Sequence, residues 1–130
     1  MNKPASKTIL IVDDEPSIRE VLAGYFEHAY GPRGFVVETA ADGLSALTAV
    51  RERRPALILL DIDMPGMTGV EVLQSDRAID ARIPVIMVTG NASTRVAGEV
   101  IKSGAYSYLP KPVKFQYLDH IVATVLGSAG

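Results

Sequence analysis

A chain of 130 residues, 48% hydrophobic and 22% charged, is long enough for one domain around one buried core. It contains no cysteine, which excludes disulfides, thiolate zinc sites and cysteine nucleophiles. A formal net charge of −2 argues against a general nucleic-acid or membrane surface, and no apolar run approaches the ~20 residues of a membrane helix.

Residues 1–7 carry two lysines but no apolar signal core, so a cytoplasmic chain without a signal peptide is expected. Apolar strand-like runs then alternate with stretches of helical period. Strands are expected at 8–12, 35–39, 57–60, 84–88 and 106–109; their Val, Ile and Leu content, with little polar alternation, suits strands buried on both faces of a parallel sheet. Pro16 suits a first helical turn, after which Ile18, Val21, Leu22, Tyr25 and Phe26 recur at helical spacing. Asp42-Gly43 reads as a turn and helix start. Leu44, Leu47 and Val50 mark the second helix, which ends near Arg53-Arg54-Pro55 because proline disfavours continuation. Val70, Leu73 and Ile79 mark a third. Ser93 or Thr94 is expected to cap a fourth, carrying Val96, Val100 and Ile101 and closed by Gly104. Phe115, Leu118, Ile121, Val122, Val125 and Leu126 mark the fifth. Five β–α repeats imply right-handed crossovers and a doubly wound α/β fold with a parallel sheet. Residues 1–6 and 127–130 are expected to be flexible ends around a domain of 7–126, the last four a tail or the start of a linker.

This architecture gathers the C-terminal ends of all strands on one edge. Asp13-Asp14 follows the first, Asp61 with Asp63 stands at the third, Thr89 at the fourth and Lys111 after the fifth. Clustered carboxylates repel one another unless a cation joins them. Oxygen ligands without His or Cys point to a hard ion such as Mg²⁺, with Mn²⁺ as the alternative. Lys111 as a point charge and Thr89 as a hydroxyl donor suit contact with a phosphoryl group, so the edge looks built for phosphoryl transfer.

These residues, in this order, resemble the response-regulator receiver domain (CheY-like) of two-component signalling. The landmarks are Val12-Asp13-Asp14-Glu15-Pro16, Ala41-Asp42-Gly43, Asp61-Ile62-Asp63-Met64-Pro65-Gly66-Met67-Thr68-Gly69, Val88-Thr89-Gly90 and Tyr108-Leu109-Pro110-Lys111-Pro112. The resemblance runs over nearly the whole chain. It implies a flavodoxin-like (βα)5 fold, strand order 2-1-3-4-5, and a cytoplasmic phosphoacceptor switch that turns over no external substrate. Asp61 would take a phosphoryl group from a sensor histidine kinase or phosphotransfer protein. Asp14 and Asp61 would bind Mg²⁺ through side chains, Asp63 through its backbone carbonyl and Asp13 through a water. Lys111 would pair with the phosphoryl oxygens, Thr89 would move toward them, and Tyr108 would turn inward to signal the change to an effector domain or target protein. Asp63 and Asn91 hold the positions that tune dephosphorylation. The family's frequent cis bond maps to Lys111-Pro112. The resemblance implies no direct nucleic-acid or membrane contact, and a monomer or a phosphorylation-dependent dimer.

The chain departs from the pattern in places. Residues 27–34 are longer than the family's first helix–strand connection, and a longer loop is expected there. Asp63 is acidic where many receivers are apolar or amide, and the acid can either repel or orient an attacking water. Tyr106-Ser107 replaces acidic residues that pair charges in DNA-binding relatives. Two competing readings are a haloacid-dehalogenase-type phosphatase using Asp61 and Asp63, and a degenerate receiver acting as a binding module. The first is opposed by the upstream place of Asp13-Asp14, the second by the complete acidic set with Lys111. His28 and His120 read as surface residues, and Arg51, Arg53 and Arg54 as a solvated helix end. Either a stand-alone receiver or the first domain of a longer regulator fits the sequence.

Overall fold

In a computed structural model that describes residues 6–90 and 94–127, five strands form one parallel sheet in the order β2-β1-β3-β4-β5. The strands are β1 (Thr8–Val12), β2 (Val36–Ala40), β3 (Leu57–Asp61), β4 (Val85–Thr89) and β5 (Ser107–Pro110). The helices are α1 (Pro16–Tyr30), α2 (Gly43–Arg53), α3 (Gly69–Ile79), α4 (Thr94–Lys102) and α5 (Phe115–Leu126). Asn91, Ser93, the Thr94 side chain, residues 1–5 and 128–130 lie outside the described residues. Within the expected N-terminal tail, Ser6 is described and donates its hydroxyl to the Arg54 carbonyl at 3.2 Å.

The two-residue period of the strands sorts the core into two layers. Leu10, Val12, Ile58, Leu60, Val85 and Met87 face a cluster completed by α2, α3 and α4. Ile9, Ile11, Leu57, Leu59, Ile86 and Val88 face one completed by Leu22 and Phe26 of α1 and Leu118 and Val122 of α5. In β3 the residues from Leu57 to Leu60 are all 1% exposed or less. At roughly 1.5–3 kcal/mol for each buried side chain, such a run can carry one buried carboxylate at its end.

The strands are covered on both faces only in the centre. β2 is an edge strand whose Val36 and Thr39 are exposed, and β5, the other edge, leaves Ser107 and Tyr108 half-buried. Their β-branched and apolar residues read like interior strands, but an edge has a neighbour on one side only. Four of the five strands also reach one residue further toward the C-terminus than their apolar runs. Asp61 pairs with Val88, and Thr89 with Pro110. A polar residue at the end of a strand breaks the apolar pattern without breaking the backbone ladder.

Helix faces are narrower than the apolar spacing suggests. Val21 is 57% exposed, Leu44 73%, Ile101 47% and Phe115 40%, so these four lie off the core. Residues 27–34 form no loose loop. α1 continues to a buried Tyr30, a 3₁₀ turn (Gly31–Arg33) follows, and Gly34 takes a left-handed φ of 91°. Arg33 stacks over Tyr30 and Phe35 at 5.3 and 5.6 Å and donates to the Leu126 carbonyl at 3.0 Å. The extra length is therefore packed against the end of α5, because the segment brings its own aromatic and cationic partners.

Asp42 starts α2 as its sequence suggests, and Thr68 adds a cap at α3. The Asp42 carboxylate accepts from the Ser45 N–H at 2.8 Å, which also holds its carboxyl below the usual range. Thr68 and Glu71 form a reciprocal capping box at the start of α3. His28 and His120 are exposed; Arg51, Arg53 and Arg54 are exposed at the end of α2, with Arg53 paired to Glu38 at 2.8 Å.

Candidate functional site

The carboxyl ends of β1, β3, β4 and β5 meet at one place. Asp13 is 1% exposed, one residue beyond β1, and its backbone N–H extends the ladder to the Ala40 carbonyl at 3.1 Å. Asp61 is 1% exposed as the last residue of β3. Lys111 follows β5, and its N–H donates to the Thr89 carbonyl at 2.8 Å. Its Nζ stands 3.3 Å from Asp13 Oδ2 and 3.2 Å from Asp61 Oδ2. One ammonium thus bridges two carboxylates that lie 48 positions apart in the chain. The Lys111-Pro112 bond is cis.

Each carboxylate is held by one oxygen and presented by the other. Asp13 Oδ1 accepts from the Glu15 N–H at 2.9 Å, and Asp61 Oδ1 from the Asp63 N–H at 3.0 Å. Asp61 Oδ2 is buried and accepts no hydrogen bond among the described residues. Its contact with Lys111 is an ion pair. Burial pushes the Asp61 carboxyl up from its ordinary value; the Asp63 N–H and Lys111 pull it back, while the Asp13 charge adds to the rise. Desolvation works to lower the Lys111 pKa, but the attraction of Asp61 and Asp13 outweighs it and the ammonium ends up raised.

Beside this core, carboxylate oxygens of Asp13, Asp14 and Glu15 lie within 4.8 Å of one another. The set is all oxygen, and Asp61 Oδ2 is a buried acceptor with no hydrogen bond among the described residues. Both features fit a hard divalent ion. Asp14 is half-buried and Asp63 exposed at the mouth of the site. Thr89 is 1% exposed at the end of β4, and Tyr108 packs half-buried against the cluster that holds Met87 and Val100. The sheet edge thus gathers Asp13, Asp61, Thr89 and Lys111, with Asp14 and Asp63 around them. Tyr108 lies further back along β5, and Asn91 is outside the described residues.

Four further residues shape the site. Glu15 completes the acidic turn. Arg19 donates to the Asp13 carbonyl at 2.7 Å. Gly69 closes over the end of β3: a Cβ there would lie 2.5 Å from Ile62 Cα and 2.7 Å from the Asp61 carbonyl oxygen. Gly90 donates its N–H to Asp63 Oδ2 at 3.1 Å. Glu15 and Gly69 lie inside recognised motifs and were legible in principle; the Arg19 and Gly90 contacts depend on the fold.

Residues 9–123 match the family model described as response regulator receiver domain. The DNA-binding response regulator MtrA of Mycolicibacterium smegmatis is 42% identical over 106 residues, which are 82% of this chain and 44% of MtrA. The chain spans less than half the length of the curated relatives it matches. Among solved structures, the Vibrio cholerae chemotaxis protein CheY4 superposes with a TM-score of 0.79 at 32% identity, covering 94% of this chain and 99% of that one. The receiver domain of the sensor histidine kinase PA1611 from Pseudomonas aeruginosa, solved with a magnesium ion coordinated in its active-site cleft, gives a TM-score of 0.81 at 29% identity, covering 95% and 100%.

Proposed function

This chain belongs to the response regulator receiver domain family of two-component signalling, and on that premise we propose that Asp61 is its phosphoacceptor. The observation that carries the reading is the state of one atom. Asp61 Oδ2 is buried, accepts no hydrogen bond among the described residues and lies 3.2 Å from an ammonium, while Oδ1 is held by the Asp63 N–H. Oδ2 is thus the oxygen presented for attack. It bonds to phosphorus as the phosphorus–nitrogen bond of a donor phosphohistidine breaks, and the imidazole leaves with that electron pair. Lys111 stands where negative charge gathers on the transferring oxygens, so it acts by position and charge and not by proton transfer.

The site fits Mg²⁺. Asp14 and Asp61 would hold it through side chains, the Asp63 carbonyl through the backbone and Asp13 through a water. Bound there, the ion would neutralise charge on the phosphoryl oxygens. The magnesium in the PA1611 receiver supports this reading. Thr89 and Tyr108 form the proposed readout: a phosphoryl group adds about −1.5 to −2 charges at the end of β3, one strand from Thr89, and the β4–α4 loop and α4 respond. The donor is a histidine kinase or phosphotransfer protein. An apolar groove beside Lys111, lined by Ile18, Val21, Leu22, Pro112, Val113 and Phe115, offers it a surface continuous with the site. The output partner is an effector domain or separate target.

Incubation with Mg²⁺ and acetyl phosphate tests the reading. Intact-mass measurement is expected to show one phosphoryl adduct per chain, dependent on the cation. Sustained release of phosphate from simple phosphate esters, with no adduct, would identify a phosphatase instead.

A further inference from the structure

Asp63 makes two bonds in different directions. Its backbone N–H holds Asp61 Oδ1 at 3.0 Å, and its side chain accepts from the Gly90 N–H at 3.1 Å. Gly90 lies 27 positions away and immediately follows Thr89. The last backbone bond of this ladder runs from the Ile62 N–H to the Val88 carbonyl at 2.9 Å. Beyond it the strands end, and the Asp63 carboxylate carries the connection one step further, between the turn after β3 and the loop after β4. A solvated turn aspartate folds its carboxylate onto its own neighbouring backbone; Asp63 instead reaches across to a different loop. A charged acceptor also makes a stronger bond than a neutral one.

We propose that Asp63 is a positioning residue that straps the end of β4 to the phosphoacceptor turn through the Gly90 N–H, so that Thr89 and Gly90 reach their switched position by breaking this bond. The inference rests on the reading of Asp61 as phosphoacceptor and Thr89 as the switch. Residue 63 then sets how readily Thr89 and Gly90 move before any phosphoryl group arrives, in addition to any effect on the attacking water. The bond needs an acceptor and not a charge, so asparagine can replace the strap and alanine cannot.

The test compares the wild-type chain with Asp63→Ala and Asp63→Asn by ¹⁵N NMR in Mg²⁺, unphosphorylated and after acetyl phosphate. The Gly90 amide is expected to exchange with water roughly tenfold faster in Asp63→Ala and within about twofold of wild type in Asp63→Asn. In unphosphorylated Asp63→Ala, the Thr89 and Tyr108 resonances are expected to shift toward their phosphorylated positions. Unchanged Gly90 exchange in Asp63→Ala overturns the strap, as does equal acceleration in both variants. If the wild-type chain takes no phosphoryl group, the phosphoacceptor reading fails; Gly90 exchange in the unphosphorylated proteins still decides whether the strap exists.

Discussion

Asp61 and Asp76 are each 1% exposed, and they sit in opposite circumstances. Asp61 ends a strand where Asp13, Lys111 and the Asp63 N–H converge on it. Asp76 lies one turn after Val72 on the buried face of α3, and neither of its carboxylate oxygens accepts a hydrogen bond among the described residues. Burial raises its carboxyl to about 7. A buried carboxylate becomes a site only where other groups give its charge something to do. At Asp61 the Asp63 N–H and Lys111 oppose the rise that burial causes, whereas at Asp76 burial acts alone.

Replacing Asp76 by Leu sharpens that contrast most. Its carboxyl titrates near 4 when unfolded and at about 7 when folded. Between those values the unfolded chain has lost a proton that the folded chain keeps, so rising pH favours unfolding by about 1.4 kcal/mol per unit. The Asp76 contribution is intact below pH 4, falls as pH rises and levels off above 7, a span of about 4 kcal/mol. Urea unfolding is expected to show Asp76→Leu gaining over wild type as pH rises from 4.5 to 7.5. An advantage equal at both pH values would mean that Asp76 has a partner after all.

The same helix begins at Gly69, pressed against the end of β3. Gly69→Ala is expected to cost about 2 kcal/mol, since backbone and not a flexible side chain must yield. It should also slow phosphorylation, by moving the turn that presents Asp61. Full stability and rate in this variant would show that the close approach is slack.

The smallest effect separates the two carboxylates by ligand. Mg²⁺ at ten times its dissociation constant is expected to raise stability by about 1.4 kcal/mol, seen as a higher melting temperature. The rise should disappear in Asp14→Asn and persist in Asp76→Leu. An undiminished rise in Asp14→Asn would remove Asp14 from the ion site.

The sequence made the sheet and the site legible for the same reason. Each apolar run of β1, β3 and β4 stops at a residue that changes character abruptly, and the parallel topology puts all such stops on one edge. Val36 and Tyr108 were harder, because an edge strand has the composition of a central one. Val21 and Leu44 kept the helical spacing and still face solvent. Residues 27–34 were misread as a loop because Arg33 finds its partners at the far end of α5. Asp76 drew no notice, since an acid on an amphipathic helix reads as surface until the packing turns it inward.

The central claim is that Asp61, and no other carboxylate, becomes the acyl phosphate. Borohydride reduces an acyl phosphate to an alcohol, converting the modified aspartate to homoserine. After treatment with acetyl phosphate and Mg²⁺, then borohydride, peptide mass mapping is expected to find homoserine at position 61, with Asp13, Asp14, Asp63 and Asp76 unchanged. Homoserine at any other aspartate, or a phosphoryl adduct that survives in Asp61→Asn, would contradict the account.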